Sequence, residues 1–333
     1  MDKGGVEMKK SAQSGFNIIA VGGAVCAMLC LIFAPAEAIE SARYGLSLCA
    51  ELIVPSLLPF FAASSLLIRL RVPVSLGHLL APAARRLWGV SGAGASAFLS
   101  GICGGYPLGA QTVAEMYGEG LLSKDESERL LGFCNNSGPS FLIGVIGSGV
   151  FSSRRAGLLL YIAHVLAAAL VGILFRKRNA PLSPLRPVEA PPFSSALVDS
   201  VRQAVSAVLS VCGFVICFCV FSGLLDALGV FRAAASLIAG ISSLEEAAVR
   251  VFLVGMLELG SGIGQMRALS PSLPLFALAA FLAGWGGLSV QFQTAAVLGE
   301  TELSLRRHRI GRLLSGILSA LLALLLGRLF LWH

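Results

Sequence analysis

Charge is what this chain has least of. Only 13% of its 333 residues are Asp, Glu, Lys or Arg, about half the share found in a soluble domain. In its place 56% are apolar, and the mean hydropathy is +0.83. Such a composition cannot clothe a water-soluble globule in polar surface, which excludes an ordinary cytosolic enzyme. It is also too apolar for a disordered or fibrous protein. Catalytic signatures are missing too. There is no His-Glu-x-x-His, no Gly-x-Ser-x-Gly nucleophile turn and no phosphate-binding Gly-x-x-x-x-Gly-Lys-[Ser/Thr] loop. The expectation is a chain that is not an enzyme and not itself an ATP-driven pump. No Cys-x-x-Cys pair and no Cys/His zinc spacing occur, so no metal or cofactor is expected. The eight cysteines lie mostly in apolar runs, where Cys behaves as a small hydrophobe.

What is present is a series of uncharged windows. About 20 residues cross a bilayer as a helix, so the chain reads as an all-α polytopic membrane protein. The net charge of +7 comes from clusters at window ends: Arg85-Arg86, Arg176-Lys177-Arg178 and Arg306-Arg307-His308-Arg309. Cytoplasmic loops collect such residues, and no nucleic-acid partner is expected. Residues 16–36 form the first window. Residues 52–68 form the second, with Pro55 and Pro59 predicting a kink or break. Residues 87–114 hold seven glycines and Pro107, a poor composition for a continuous lipid-facing helix. Lys124-Asp125-Glu126-Ser127-Glu128-Arg129 belongs at a membrane surface. Residues 130–153 are uncharged but interrupted by Asn135-Asn136-Ser137-Gly138-Pro139-Ser140. A plain span, 156–175, follows.

Residues 176–202 read as a basic, Pro-rich cytoplasmic linker. Apolar windows resume at 203–225, 233–244, 251–266 (interrupted by Glu258), 268–299 and 313–327, where Arg312 and Arg328 are expected to snorkel from the ends. The two sides share a plan: a Phe-rich span, a shorter amphipathic piece, two interrupted segments and a plain span. Phe98-Leu99-Ser100-Gly101 has its counterpart in Phe252-Leu253-Val254-Gly255. The division is therefore an N-terminal segment with a first span (1–40), a first repeat (41–175), the linker and a second repeat (203–333). Transporters are commonly built this way, with broken helices or re-entrant hairpins, the repeats inserted in opposite orientations and the site where the breaks meet.

The breaks supply the candidate site. Asn135, Asn136, Ser137 and Ser140 flank Gly138-Pro139, a point where a helix stops and restarts. A restarting helix presents free N–H groups and partial positive charge to an anion. Gly104, Gly105, Tyr106 and Gln111 form the matching element of the same half, and Gln291 and Gln293 that of the other. Glu258, ionisable inside a span, is a coupling candidate for H+ or Na+. Glu115 and His164 are weaker candidates of that kind.

At these residues the sequence resembles a known family. Phe98-Leu99-Ser100-Gly101-Ile102-Cys103-Gly104-Gly105-Tyr106-Pro107-Leu108-Gly109-Ala110 resembles the SGYPxGA block of the sporulation integral membrane protein (YlbJ-type) family. Phe133-Cys134-Asn135-Asn136-Ser137-Gly138-Pro139 resembles its F-x-N-x-S-G-P block. Val54-Pro55-Ser56-Leu57-Leu58-Pro59-Phe60-Phe61 is similar to its LPSLFPF segment, and Gly286-Gly287-Leu288-Ser289-Val290-Gln291 to its GGL-x-V-x-x-Q segment. The resemblance implies a Gate-domain fold, the nucleoside-recognition type related to concentrative nucleoside transporters. It further implies movement of dipicolinic acid, a pyridine dicarboxylate, from the mother cell across the outer forespore membrane. Transport of a nucleoside-like or other small carboxylate solute, and a non-transporting sporulation scaffold, stay open as alternatives. The partners expected are the lipid bilayer, a small anion and a coupling ion, with homo-oligomerisation undecided.

Overall fold

The computed structural model describes residues 28, 31–177, 190–242, 244–299 and 301–332, without the side chains of 52, 56 and 73–78. Most of the first apolar window and the middle of the linker, 178–189, therefore lie outside the described residues. Among the described residues every regular element is a helix. Helix α1 (Pro35–Leu48) passes through a π-helical turn, Cys49–Ile53, into α2 (Val54–Arg69). Helix α3 (Val72–Trp88) is followed by an interrupted pair, α4 (Gly92–Gly104) and α5 (Leu108–Gly118). A second interrupted pair joins α6 (Lys124–Leu131) to a π-helical segment, Ser140–Ser148, and α7 (Arg154–Leu174) closes this half. After the linker come α8 (Phe193–Ala227) and α9 (Val230–Ile241). The pair α10 (Glu246–Leu257) and α11 (Leu259–Met266) is parted at Glu258, and the pair α12 (Leu273–Trp285) and α13 (Gly287–Leu298) at Gly286. Helix α14 (Arg306–Phe330) ends the series.

Local chemistry sets these starts and stops. Ser91, Ser123, Ser153 and Ser272 cap α4, α6, α7 and α12, each hydroxyl accepting from a backbone N–H three residues on at 3.1–3.4 Å. Such caps satisfy donors that the first turn leaves orphaned. The breaks expected at Pro107 and at Gly138-Pro139 are present. Pro55 falls in the first turn of α2, where a missing N–H costs nothing, while Pro59 sits inside that helix.

Four helical stretches are long and apolar enough to cross a membrane: Arg154–Leu174, Phe193–Ala227, Leu273–Leu298 and Arg306–Phe330. A fifth is counted if the pair Leu79–Trp88 and Gly92–Gly104, bent by 84°, is one broken span. Leu273–Leu298 is the central one: 61% of its apolar window is buried in protein, against 28% for Arg306–Phe330. The peripheral helices turn leucines outward, among them Leu158, Leu166 and Leu170 on α7 and Leu321, Leu325 and Leu329 on α14.

Two sequence expectations need correction. The linker was expected to reach residue 202, but α8 begins at Phe193, directly after Pro191-Pro192. Its first three turns hold because Ala196, Ser200 and Ala204 bury one stripe, while Asp199 on another face lies 3.8 Å from Arg69 of α2. Arg312 does not snorkel. It is 0% exposed, because α14 extends well beyond the expected window, from Arg306 to Phe330, and carries it into the interior.

The charged stretch around α6 is two-faced. Glu126 and Arg129 are buried. Glu126 accepts from the Ser91 N–H, and Arg129 donates to the Gly89 carbonyl at 3.0 Å, clipping α6 to the α3–α4 corner. On the outer face Asp125 pairs with Arg307 at 3.1 Å, with Arg129 at 3.2 Å and with Lys177 at 3.6 Å. Partial burial pushes the Asp125 carboxyl up. The Arg307 hydrogen bond and the charges of Arg129, Arg307 and Lys177 outweigh this and hold it below its ordinary value.

Candidate functional site

The four breaks meet in the interior. In the first half the two backbones touch directly: a Cβ on Gly105 would lie 3.0 Å from the Gly138 nitrogen, and Gly105 has φ +88°. Helices α4 and α5 close on the same strand of chain, since a Cβ on Gly101 or Gly109 would overlap the Cys134 carbonyl. Only glycine permits that approach. In the second half a Cβ on Gly287 would stand 3.1 Å from the Leu257 carbonyl and the Leu259 nitrogen. The α12–α13 break thus lies against the α10–α11 break.

Polar side chains then join the halves. Ser137 donates to the Tyr106 hydroxyl at 2.9 Å, and the Tyr106 hydroxyl bonds the Ala283 carbonyl at the end of α12. Asn135 donates from Nδ2 to Thr294 Oγ1 on α13 at 2.9 Å. His164 Nε2 accepts from the Ser137 N–H at 3.0 Å, so the weaker candidate His164 holds the break from behind. Each buried amide or hydroxyl has a reason to stay paired, because an unpaired one costs about 1–3 kcal/mol.

A cavity of about 480 Å³ opens beside this junction. Gly104, Gly105, Tyr106, Ser137, Ser140, Gln293 and Glu258 border it. Gln111, Asn135, Asn136 and Gln291 do not. Asn136 turns back to donate to the Phe133 carbonyl at 2.8 Å. Gln111 donates to Glu115 at 2.9 Å, and Gln203 of α8 donates to the same carboxylate oxygen at 2.6 Å. The weaker candidate Glu115 therefore belongs to a separate network with Gln203, Ser65 and Arg69. At about 100° per residue, positions two apart on α13 face nearly opposite ways. Gln293 faces the cavity and Gln291 does not.

Glu258 caps α11. Its carboxylate accepts from the Gly260 N–H at 3.0 Å and from the Ser261 N–H. That places its negative charge at a helix N-terminus, where the backbone dipole favours it, and at the cavity wall. The N–H groups of this restart are occupied by the protein's own carboxylate and are not free for an anionic ligand.

Over 327 residues the chain is 32% identical to the sporulation integral membrane protein YlbJ of Bacillus subtilis (strain 168), a match spanning 90% of this chain and 80% of that relative. The chain belongs to the YlbJ family of sporulation integral membrane proteins. No protein-family model and no solved structure matches it. With the apolar helices, the relationship makes it an integral membrane protein.

In this YlbJ-family chain the cavity also receives residues that the sequence left unmarked. Tyr44 and Glu51 enter from the first helices, and Arg267 from the end of α11. Arg267 reads in the sequence only as a charge closing an apolar window. Its position directly after the Gly-rich 258–264 segment was the available signal. The wall thus combines one guanidinium, two carboxylates, the Tyr106 and Tyr44 rings and the Ser137 and Ser140 hydroxyls, above an apolar floor that includes Phe141, Val211 and Val215.

Proposed function

We propose that the chain is a transporter of a small organic anion, with dipicolinate moved from the mother cell across the outer forespore membrane as the leading reading. The observation that carries it is the cavity bordered by three of the four chain breaks and by Val290 and Gln293 of the helix that follows the fourth. Broken helices facing one another across a cavity are the arrangement by which secondary transporters hold solutes within a bilayer. A pyridine dicarboxylate has an aromatic plane and two carboxylates. The cavity borders offer Tyr and Phe rings, hydroxyl donors and Arg267, a mixture of apolar wall and few polar groups typical of small-ligand sites.

The Gate-domain reading, with inverted repeats over 41–175 and 203–333, is part of the same proposal. Its support is the shared element order on either side of the linker, a long helical run, a short helix, two interrupted pairs and a long helix. Further support is a matching close approach, Gly101 beside Gly109 in one half and Gly255 beside Gly262 in the other. Glu258 fits a coupling residue for H+ or Na+ better than a ligand for a dianion, since like charges in a poorly solvated cavity repel.

The test is uptake of labelled dipicolinate by purified protein in liposomes, with nucleosides and other small carboxylates as competitors. Saturable uptake blocked by excess dipicolinate and not by nucleosides supports the reading. Competition by nucleosides redirects it to a nucleoside-like solute. Absence of any uptake in correctly inserted protein overturns transport and leaves the scaffold alternative.

A further inference from the structure

Among the described residues Arg312 is the largest side chain buried to 0% exposure, and a guanidinium cannot shed its charge. Its Nη1 reaches the Gly284 carbonyl at a long 3.4 Å, and Nη2 reaches Ser315 Oγ at 3.2 Å. Its Nε has no partner. The ion pairs among the described residues, each closer than 4.0 Å, do not include it. Tyr106, Cys134, His164 and His308 lie within its electrostatic reach, and none of these four is a carboxylate. His164 Nε2 is engaged as an acceptor and His308 Nδ1 lies 3.1 Å from the Leu131 carbonyl. A buried, uncompensated charge of this kind is among the most costly groups a protein interior can hold.

Tyr106 connects this charge to the cavity. Its side chain borders the cavity, and its hydroxyl lies within electrostatic reach of the guanidinium. That hydroxyl and Arg312 Nη1 bond adjacent carbonyls, Ala283 and Gly284, at the same end of α12. We propose that Arg312 is the residue that recognises the negative charge of the transported carboxylate, reached from the cavity past the Tyr106 and Ser137 hydroxyls. This rests on reading the cavity as an anion-transport site. Arg267 then meets the anion at the cavity wall, and Arg312 supplies the second positive charge that a dianion needs on leaving water.

The experiment measures binding to purified protein, by thermal shift at fixed ionic strength, of dipicolinate, picolinate (one carboxylate), the uncharged diamide and benzoate. Wild type is expected to prefer dianion over monoanion over diamide. Arg312→Gln is expected to weaken dipicolinate by about thirtyfold or more, the scale for losing a desolvated charge-assisted contact, while diamide binding is kept. Arg312→Lys, which retains the charge without the planar fork, should fall between them. A folded Arg312→Gln protein with an unchanged dianion-to-diamide ratio overturns the proposal, because a purely structural role moves stability and not that ratio. If Arg312→Gln does not fold, the same ratio in Arg312→Lys decides, a changed ratio supporting the proposal and an unchanged one overturning it. Wild type stabilised by benzoate but not by dipicolinate, with the benzoate response lost in Arg312→Gln, would sink the dipicolinate reading and keep the anion site. Wild type that responds to no carboxylate overturns the role of Arg312 itself.

Discussion

The two halves solve the same problem with different chemistry. Both interrupt helices inside the protein and must satisfy the freed backbone groups. The first half does so with neutral side chains: Ser137, Tyr106, His164 and Asn136 bond one another or the freed backbone around 133–138. The second half uses a single carboxylate, Glu258, which closes the N-terminus of α11, and the left-handed glycines Gly286 and Gly287. The difference teaches that a shared element order leaves the electrostatics of each half free to differ. At the breaks themselves, one half presents the Tyr106 and Ser137 hydroxyls and the other the Glu258 carboxylate to the same cavity.

The strongest way to break this comparison is at the backbone contacts that both halves need. Gly109→Val places a side chain onto the Cys134 carbonyl, and Gly262→Ala places one onto the Gly255 Cα. Each should cost about 3 kcal/mol, at the upper end for overpacking, read as loss of monodisperse protein or a lowered Tm in detergent. Gly118→Ala, whose Cβ meets nothing within 4 Å, should match wild type or exceed it slightly. Equal behaviour of all three would show that the hairpins do not depend on close approach.

Next in size is the polar tie between halves. Asn135→Ala removes the bond to Thr294 and should cost about 1–3 kcal/mol. A double-mutant cycle with Thr294→Val should show coupling of at least about 0.5 kcal/mol. A cycle with no coupling would mean that the halves are not joined at this point.

Glu258→Gln sharpens the electrostatic contrast. It keeps one of the two cap bonds, turns the other acceptor into a donor facing an N–H and removes the charge at the helix N-terminus, which should cost about 1–3 kcal/mol. Its larger effect should be on uptake, whose pH or cation dependence flattens while substrate ranking is kept. An unchanged profile removes the coupling role.

The smallest effect belongs to Asp125, which ties α6 of one half to Arg307 of the other at the periphery. Because the folded state holds this carboxyl below its ordinary value, it binds its proton less readily folded than unfolded. Its contribution is therefore complete above the unfolded value of about 3.9 and disappears as pH falls through the lower folded value. The exposed setting keeps it to less than about 1 kcal/mol. Wild type and Asp125→Asn should differ in Tm near neutral pH and converge in acid. A constant difference would place the stabilisation elsewhere.

Much of this molecule follows from residue types in order. Uncharged windows marked the apolar helices, because a bilayer excludes charge whatever the tertiary arrangement. Pro107 and Gly138-Pro139 announced their breaks, because a missing N–H and a permissive glycine act locally. Serine caps likewise need only the next turn of chain. The lining of the candidate site was legible in part for the same reason: Gly105, Tyr106 and Ser137 lie at the breaks themselves. Packing decided the rest. Which of Gln291 and Gln293 faces the cavity depends on the rotation of α13 against its neighbours. Whether Asn136 serves the cavity or its own backbone depends on the path of the chain around 133–138, against which α4 and α5 pack at Cys134. Arg312 looked in sequence like a charge at a helix end. It became a buried guanidinium because α14 packs against α7 and α12 and carries it to the Gly284 carbonyl, and no local pattern of residues records what lies behind a helix.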